Sequence, residues 1–261
     1  MSFGPREHAY GERVHLHGDA WSLASLARVS SPEISQTELY GVVRSLYAGL
    51  LARVMAQESP TIETEVSTRM AAVHGEKGAW QGTVVDPGQN VVIVDIVRGG
   101  MVPAQTCFEE LARVLPIERL RLDHLIMSRR SDEAGRVVGA DLSGSKVGGG
   151  IEGALVLVPD PMGATGTTLV TAIEHLIEAH GKPAAFVCMP LISTPEFIRT
   201  VTTQVPSAVV HTYRVDRGSS SSEVQAQVPG TRWDEESGLD EHGYIVPGAG
   251  GLGEVLNNSW C

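Results

Sequence analysis

An α/β fold with a mainly parallel sheet flanked by helices is predicted by three observations. The run VVIVDIV at 91–97 is short, β-branched and nearly continuously apolar, and ALVLV at 154–158 is apolar throughout, as expected of strands covered on both faces. Stretches of helical period alternate with such runs along the chain. The 261 residues, 42% hydrophobic and 20% charged, have the composition of a globular protein and the length of one large domain or two small ones.

The elements follow in order. Residues 1 to about 20 are polar and read as an irregular arm, with the whole of 1–25 taken as an N-terminal tail. From Ser35 to Gln57 the apolar Leu39, Val42, Val43, Leu46, Leu50, Leu51, Val54 and Met55 recur at helical spacing, and Ser35 with Glu38 fits a capping box. Strand 91–97 comes next, then a helix over 103–115 and a strand over 117–126. Residues 128–150 are polar, charged and Gly-rich, too long for an ordinary connection; this predicts a mobile lid carrying Arg129, Arg130, Arg136 and Lys146. A solvated loop with ordinary charges fits the same composition. Strand 154–158, helix 166–180, and strands 184–191 and 208–215 around a helix at 195–203 complete the alternation. Residues 219–238, with consecutive serines, a Pro-Gly and an acidic run, read as a surface insertion.

Charge and cysteine usage narrow the function classes. The 20 basic and 31 acidic residues give a formal charge of −11, which repels phosphate backbones at long range and disfavours nucleic-acid or anionic-membrane partners. Cys107, Cys188 and Cys261 form no CxxC pair or zinc spacing, in keeping with a reduced chain. No apolar sequence run reaches the roughly 18 residues of a membrane span, and the first twenty residues hold no apolar signal core. The expectation is a cytoplasmic protein.

The chemistry concentrates in a few segments. In ALVLVPDPMGATGTTL, at 154–169, a buried strand runs into Asp160, a loop of small and hydroxyl residues, and a helix. Amides at a helix start favour an anion, and Thr165, Thr167 and Thr168 add hydroxyl donors. The ending of a nucleotide P-loop is missing, which disfavours a nucleoside triphosphatase. A carboxylate beside a phosphate cradle suits a sugar phosphate, because the acid accepts hydrogen bonds from sugar hydroxyls. Helix capping alone would use the same residue types. In DIVRGGMV, at 95–102, Arg98 sits at the carboxyl edge of the predicted sheet, where open α/β folds bind ligands, and can hold a diphosphate in bidentate fashion. Asp240 to Glu254, DEHGYIVPGAGGLGE, formally contains GxGxxG at Gly248, Gly250 and Gly253. Too few residues follow for a dinucleotide-binding unit, so the segment reads as a turn whose exposed backbone can line a small planar ligand. His15, His17 and Asp19 could bind a metal but read as part of the polar tail, and His175 and His180 share a helix face poorly. No side-chain metal site is assigned, and no hydrolytic triad is visible.

Together these segments resemble the uracil phosphoribosyltransferases. DPMGATGTT at 160–168 is similar to the family's phosphoribosyl-diphosphate loop, usually DPMLATGGS. LDEHGYIVPGAGGLGE at 239–254 is similar to its uracil-binding stretch, typically NEHGYIIPGLGDAGD, and is the more specific match. VRGGM at 97–101 resembles LRAGL, SRRSDE at 128–133 resembles the YRNEE segment, and residues 26–51 fit the family's N-terminal helical arm. The resemblance implies a phosphoribosyltransferase-like domain over 26–261 with a small hood from that arm and the C-terminal segment. It implies transfer of a phosphoribosyl group from 5-phosphoribosyl 1-diphosphate to uracil, giving UMP and diphosphate, with Mg²⁺. Position by position, Asp160, Pro161, Met162, Gly163, Ala164, Thr165, Gly166, Thr167 and Thr168 would hold the ribose 5-phosphate. Arg98 and Arg130 would hold the diphosphate, and Asp160, Arg98 and Arg130 would be catalytic. Ile245, Gly250, Gly251 and Leu252 would meet the base, with Gly251 also at the phosphoribosyl substrate. The family implies a homo-oligomer and, in some members, GTP as an effector.

Three departures stand out. Gly251 replaces an aspartate of the family, although Glu254 lies where a second acid sits. Residues 219–238 are inserted beside the base-binding stretch and could reshape the mouth of the base site. Gly163 replaces a leucine, which would loosen the phosphate loop. Transfer to another nucleobase or heterocycle, and a non-catalytic nucleotide-sensing regulator on the same fold, are the competing readings.

Overall fold

A computed structural model describes residues 6–131 and 137–259 of the chain. The strands are β1 (Val14–Leu16), β2 (Thr61–Ser67), β3 (Ala79–Val85), β4 (Val91–Val97), β5 (Leu120–Ser131), β6 (Val137–Lys146), β7 (Leu155–Val158), β8 (Met162–Gly163), β9 (Ala185–Cys188), β10 (Ile192–Ser193), β11 (Ala208–Thr212) and β12 (Arg214–Val215). The helices are α1 (Ala20–Val29), α2 (Gln36–Glu58), α3 (Ala71–His74), α4 (Met101–Leu111), α5 (Thr167–His180), α6 (Pro195–Gln204), α7 (Ser222–Gln225) and α8 (Leu252–Asn257).

The main sheet has seven strands in the order β1-β11-β9-β7-β4-β5-β6. Every neighbouring pair is parallel except β5 with β6. Side chains of the central strands alternate between two cores, as strand geometry requires. Val91, Ile93, Leu155, Leu157 and Val187 face a core shared with α1, α2, α4 and α8. Val92, Val94, Ile96, Val156, Val158 and Cys188 face a core shared with α5 and α6. The predicted class is therefore the observed one, with helices on both faces of a mainly parallel sheet.

Helix α2 starts at the predicted capping box: the Ser35 side chain accepts from Glu38 N, and Glu38 reaches back to the Ser35 backbone. With 23 residues it is long and apolar enough to cross a membrane by length and composition. Its apolar face, including Leu39, Val43, Leu46, Leu50 and Val54, is instead buried in the protein core.

Three expectations need correction, and one feature is new. The N-terminal tail over 1–25 contains structure: β1 closes one sheet edge against β11, and Asp19 caps α1. Val14-His15-Leu16-His17 alternates over too few residues to stand out, and the polar His15 and His17 resemble the tail around them although His17 is buried and His15 half-buried. The lid at 128–150 is mostly a hairpin edge, with β5 paired to β6 from His124↔Lys146 to Ser131↔Val137. Exposed edge strands need no apolar run, so composition alone conceals them. Arg136 lies outside the described residues, as does Cys261. The strand expected at 117–126 begins only at Leu120, after a 3₁₀ turn. Finally, β2 and β3 form an antiparallel ribbon apart from the main sheet, in a region the sequence analysis left unassigned.

The surface insertion 219–238 is a closed excursion. Ser219 N donates to Ser237 O at 3.1 Å, bringing its ends together. Glu236, only 7% exposed, anchors it by accepting from Tyr10 Oη (2.6 Å), Arg217 (2.8 Å) and Gly230 N (2.8 Å). Trp233 donates its indole N–H to Pro195 O at 3.1 Å, fastening the segment to α6.

Removing the Glu236 carboxylate leaves the part-buried Arg217 without its counter-charge, with only the carbonyls of Val224, Gln225 and Gln227 to accept from it. Glu236→Ala should therefore cost about 3 kcal/mol in urea unfolding, whereas Tyr10→Phe, which removes one donor, should cost about 1.5 kcal/mol.

Candidate active site

The chain leaves β4 towards β5 on one side and later enters β7 on the other. β4 and β7 are nonetheless hydrogen-bonded neighbours. This reversal opens a crevice at their carboxyl ends, the place where open α/β sheets receive ligands. A cleft of about 640 Å³ lies there.

Three segments meet at Gly99. A Cβ at this position would lie 3.3 Å from Asp160 Oδ1, and one at Gly253 would lie 3.3 Å from Gly99 Cα. Absent side chains thus let the Asp160 carboxylate of the loop after β7 and the backbone at Gly253 both come close to the turn after β4. Arg98, on that turn, donates to Ser259 O at 3.2 Å and to Ser259 Oγ. Asn257 Nδ2 donates back to Arg98 O at 3.3 Å. Gln36 of α2 donates to the carbonyls of Val255 and Leu256, supporting α8 from behind.

The loop 160–168 is held at both ends. Asp160 Oδ1 accepts from Met162 N at 3.3 Å. Met162 and Gly163 pair with Ile192 and Ser193, and Thr194 clasps the loop by donating its N–H to Gly163 O and its hydroxyl to Ala164 O. Gly166, at φ +80°, turns the chain into α5 and provides no side-chain cap. At the helix start Thr167 N donates to Thr165 Oγ1 at 3.3 Å, the remaining outward N–H groups can face an anion, and Asp160 is not the cap. Beneath the acid, Tyr47 donates to Met189 O at 3.1 Å, and burial together with the Asp160 charge holds its phenol well above the ordinary pKa.

Across the cleft, the Pro247-Gly248 turn is fixed by residues that sequence reading missed. Buried Asp216 accepts from Gly248 N at 2.8 Å and binds Arg214 through both oxygens, at 2.6 and 2.9 Å. Arg214 also donates to Gly248 O at 3.0 Å. Upstream, Asp240 accepts from the amides of His242 and Tyr244, which holds its carboxyl below the usual range.

Of the sequence-predicted residues, Arg98, Asp160, Pro161, Met162, Gly163, Ala164, Thr165, Gly166, Thr168, Ile245, Gly250, Gly251 and Leu252 all line this one cleft. Thr167 lies on α5 outside the lining, and Arg130 sits on β5 opposite Gly139. Met127, Ser128, Met189 and Pro190 line the cleft without having been singled out. The last two follow β9, so the carboxyl-edge rule that selected Arg98 could have found them.

The sequence profile described as uracil phosphoribosyltransferase matches residues 23–232. The chain belongs to that family. It is 30% identical over 224 residues to a uracil phosphoribosyltransferase of Dictyoglomus thermophilum, covering 86% of this chain and 83% of the relative. It is 29% identical over 207 residues to one of Variovorax paradoxus, covering 79% and 80%. The AQ2163 protein of Aquifex aeolicus shares the fold with a TM-score of 0.69 at 18% identity, over 93% of this chain and 97% of that one. Adenine phosphoribosyltransferase of Trypanosoma brucei aligns with a TM-score of 0.51 at 10% identity, over 80% and 87%.

The departures from the family pattern have structural counterparts. Gly163 does not loosen its loop: a Cβ there would lie 2.9–3.0 Å from three atoms of the Phe197 ring, so the aromatic side chain fills the space. At Gly251, a Cβ would overlap the Glu254 carboxylate, which folds back over the glycine and lines the cleft. Among the described residues, none of 219–238 lines the cleft, but Gly238 O accepts from Val246 N at 2.8 Å, joining the end of the insertion to the stretch that holds Ile245.

The Phe197 packing sets a measurable coupling. Gly163→Leu should lower stability by about 2 kcal/mol through overpacking. Combined with Phe197→Ala, it should cost less than the sum of the single changes in a double-mutant cycle of thermal unfolding.

Proposed function

We propose that this cleft transfers a 5-phosphoribosyl group from 5-phosphoribosyl 1-diphosphate to a ring nitrogen of uracil, giving UMP and diphosphate. The observation that carries the reading is the meeting, across Gly99, of the Asp160 loop with the 239–254 stretch. A phosphate cradle and a backbone-lined slot for a planar base face each other there.

In this reaction the bond from the anomeric carbon to the diphosphate oxygen breaks, a bond from that carbon to the base nitrogen forms, and the base gives up the nitrogen's proton. Positive charge develops on the ribose in the transition state. The open N–H groups at the start of α5, with the Thr165 and Thr168 hydroxyls, take the 5-phosphate. Asp160 accepts hydrogen bonds from the ribose hydroxyls and stabilises the developing positive charge. Arg98 and Arg130 receive the diphosphate, and the turn that carries Arg98 is steadied by Ser259 and Asn257. Backbone groups of Ile245 and 250–252 read the edge of the base. Orientation supplies much of the acceleration, so a side-chain nucleophile is not required.

The cleft's carboxylates, Asp160 and Glu254, are hard oxygen donors suited to Mg²⁺ shared with substrate phosphates. When bound, the ion neutralises the departing diphosphate. Glu254 takes the part of the family acid that Gly251 lacks.

Diphosphate release by the purified protein with Mg²⁺ and the phosphoribosyl donor should depend on uracil and exceed release with other bases. Failure with every base would overturn the activity. Asp160→Asn should lower uracil-dependent kcat/KM by at least about 100-fold with unchanged thermal unfolding. Glu254→Gln should lower it by about 10-fold, while Gly251→Ala should disturb the Glu254 position and act in the same direction.

A further inference from the structure

At the sheet edge opposite β6, three imidazoles and a carboxylate share one face. His15 and His211 are register partners on the parallel pair β1 and β11. His17, two residues on from His15, projects to the same side. That side is covered by α2, whose final residue is Glu58. His211 Nε2 lies 3.0 Å from Glu58 Oε1, His15 Nε2 lies 3.7 Å from the same oxygen, and the ligand atoms of all three residues fall within 4.8 Å of one another.

We propose that His15, Glu58 and His211 form a binding site for a divalent transition-metal ion, best suited to Zn²⁺. The donor set is two imidazole nitrogens and a carboxylate oxygen, a combination that zinc accepts and Mg²⁺ or Ca²⁺ does not favour. Zinc bonds of about 2.0 Å at tetrahedral angles separate ligand atoms by roughly 3.3 Å, close to the two spacings at Glu58. Small side-chain shifts would close the set.

Two surrounding features favour the ion. His17 Nε2 lies 3.0 Å from His211 Nδ1, the ring nitrogen left over when Nε2 binds metal. A metal-bound histidine is normally oriented by such a hydrogen bond, here donated by His211 Nδ1–H to His17. Glu58 closes α2 at the helix's C-terminal, partially negative end, and the last turn carries no basic residue. His211 is fully buried at its side chain, whereas His15 is 27% and Glu58 17% exposed. The rigid member thus lies inside, and water can reach the fourth position.

None of these residues lines the cleft of about 640 Å³, so the site is separate from the proposed phosphoribosyl chemistry and holds whether or not that reading does. Its role follows from its connections: it ties β1 to β11 and to the end of α2, the three elements that close this edge.

The test is metal binding by tag-free protein stripped with chelator and dialysed, with Zn²⁺ titrated against a chromophoric competitor and no phosphoribosyl donor present. The expected result is one equivalent of Zn²⁺ bound, a rise in Tm with Zn²⁺ and none with Mg²⁺. Co²⁺ should give the intense visible bands of a four-coordinate site. His15→Ala, at a half-buried position that tolerates truncation, and Glu58→Gln, which keeps a hydrogen-bond partner for His211, should each weaken binding by at least about 100-fold while circular dichroism shows a folded chain. Absence of stoichiometric binding, or equal binding by the two folded variants, would overturn the proposal.

Discussion

The architecture of the candidate site depends on one close approach, that of three segments at Gly99. The Asp160 carboxylate comes close to the turn after β4 where Gly99 has no side chain, and the backbone at Gly253 packs against the same spot. Everything else near the cleft serves to hold these three segments in that contact. The small ladder β8-β10-β12 fixes the loop after β7, Asp216 and Arg214 fix the Pro247-Gly248 turn, and Ser259 with Asn257 fixes the Arg98 turn. A fixed arrangement of backbone donors is what electrostatic catalysis needs, since dipoles that are already oriented require no reorganisation when charge develops.

The opposite edge of the molecule is organised by buried polar groups. Glu236 gathers donors from the arm before β1, from Arg217 and from the excursion itself. The histidine cluster joins β1 to β11 and α2. Both arrangements place charge and imidazole where an ordinary edge would place aliphatic side chains. Such groups are costly to bury unless every polar atom finds a partner, and here the partners come from segments far apart in the chain.

How much of this could be read from the chain itself depended on the signal each element leaves. β4 and β7 were legible because both faces are buried, leaving apolar runs broken only by Asp95. α2 was legible from its period and from the Ser35–Glu38 box. The Asp160 loop and the 239–254 stretch were legible because both carry small residues at fixed offsets, which lets neighbouring backbone approach closely. The hairpin β5–β6 was hidden, since one exposed edge tolerates glycine and charge at will. β1 was hidden because His15 within it and His17 just after it look like tail residues until the strand joins β11 and α2 covers that face. Asp216 and Glu236 could not be recognised as anchors, because the contacts that make them so, Gly248 for Asp216 and Tyr10 for Glu236, lie 32 and 226 residues away and leave no local pattern. Glu254 was visible as an acid, but its fold-back over Gly251 is a tertiary fact.

The pairing of β1 with β11 also has a consequence for how the chain comes to be folded. A strand made early must wait for one made nearly two hundred residues later, and α8, which completes the cleft wall, comes later still. Closing so long a loop adds only modestly to the entropy cost, because that cost grows with the logarithm of length. Its effect on rate is larger, since non-local strand pairing slows folding. During synthesis on the ribosome, the central strands can collapse onto α2 and α4 while both the sheet edge and the ligand cleft remain unfinished. Binding competence is thus a late event, gained only when the last segments arrive to seal a framework laid down by the first.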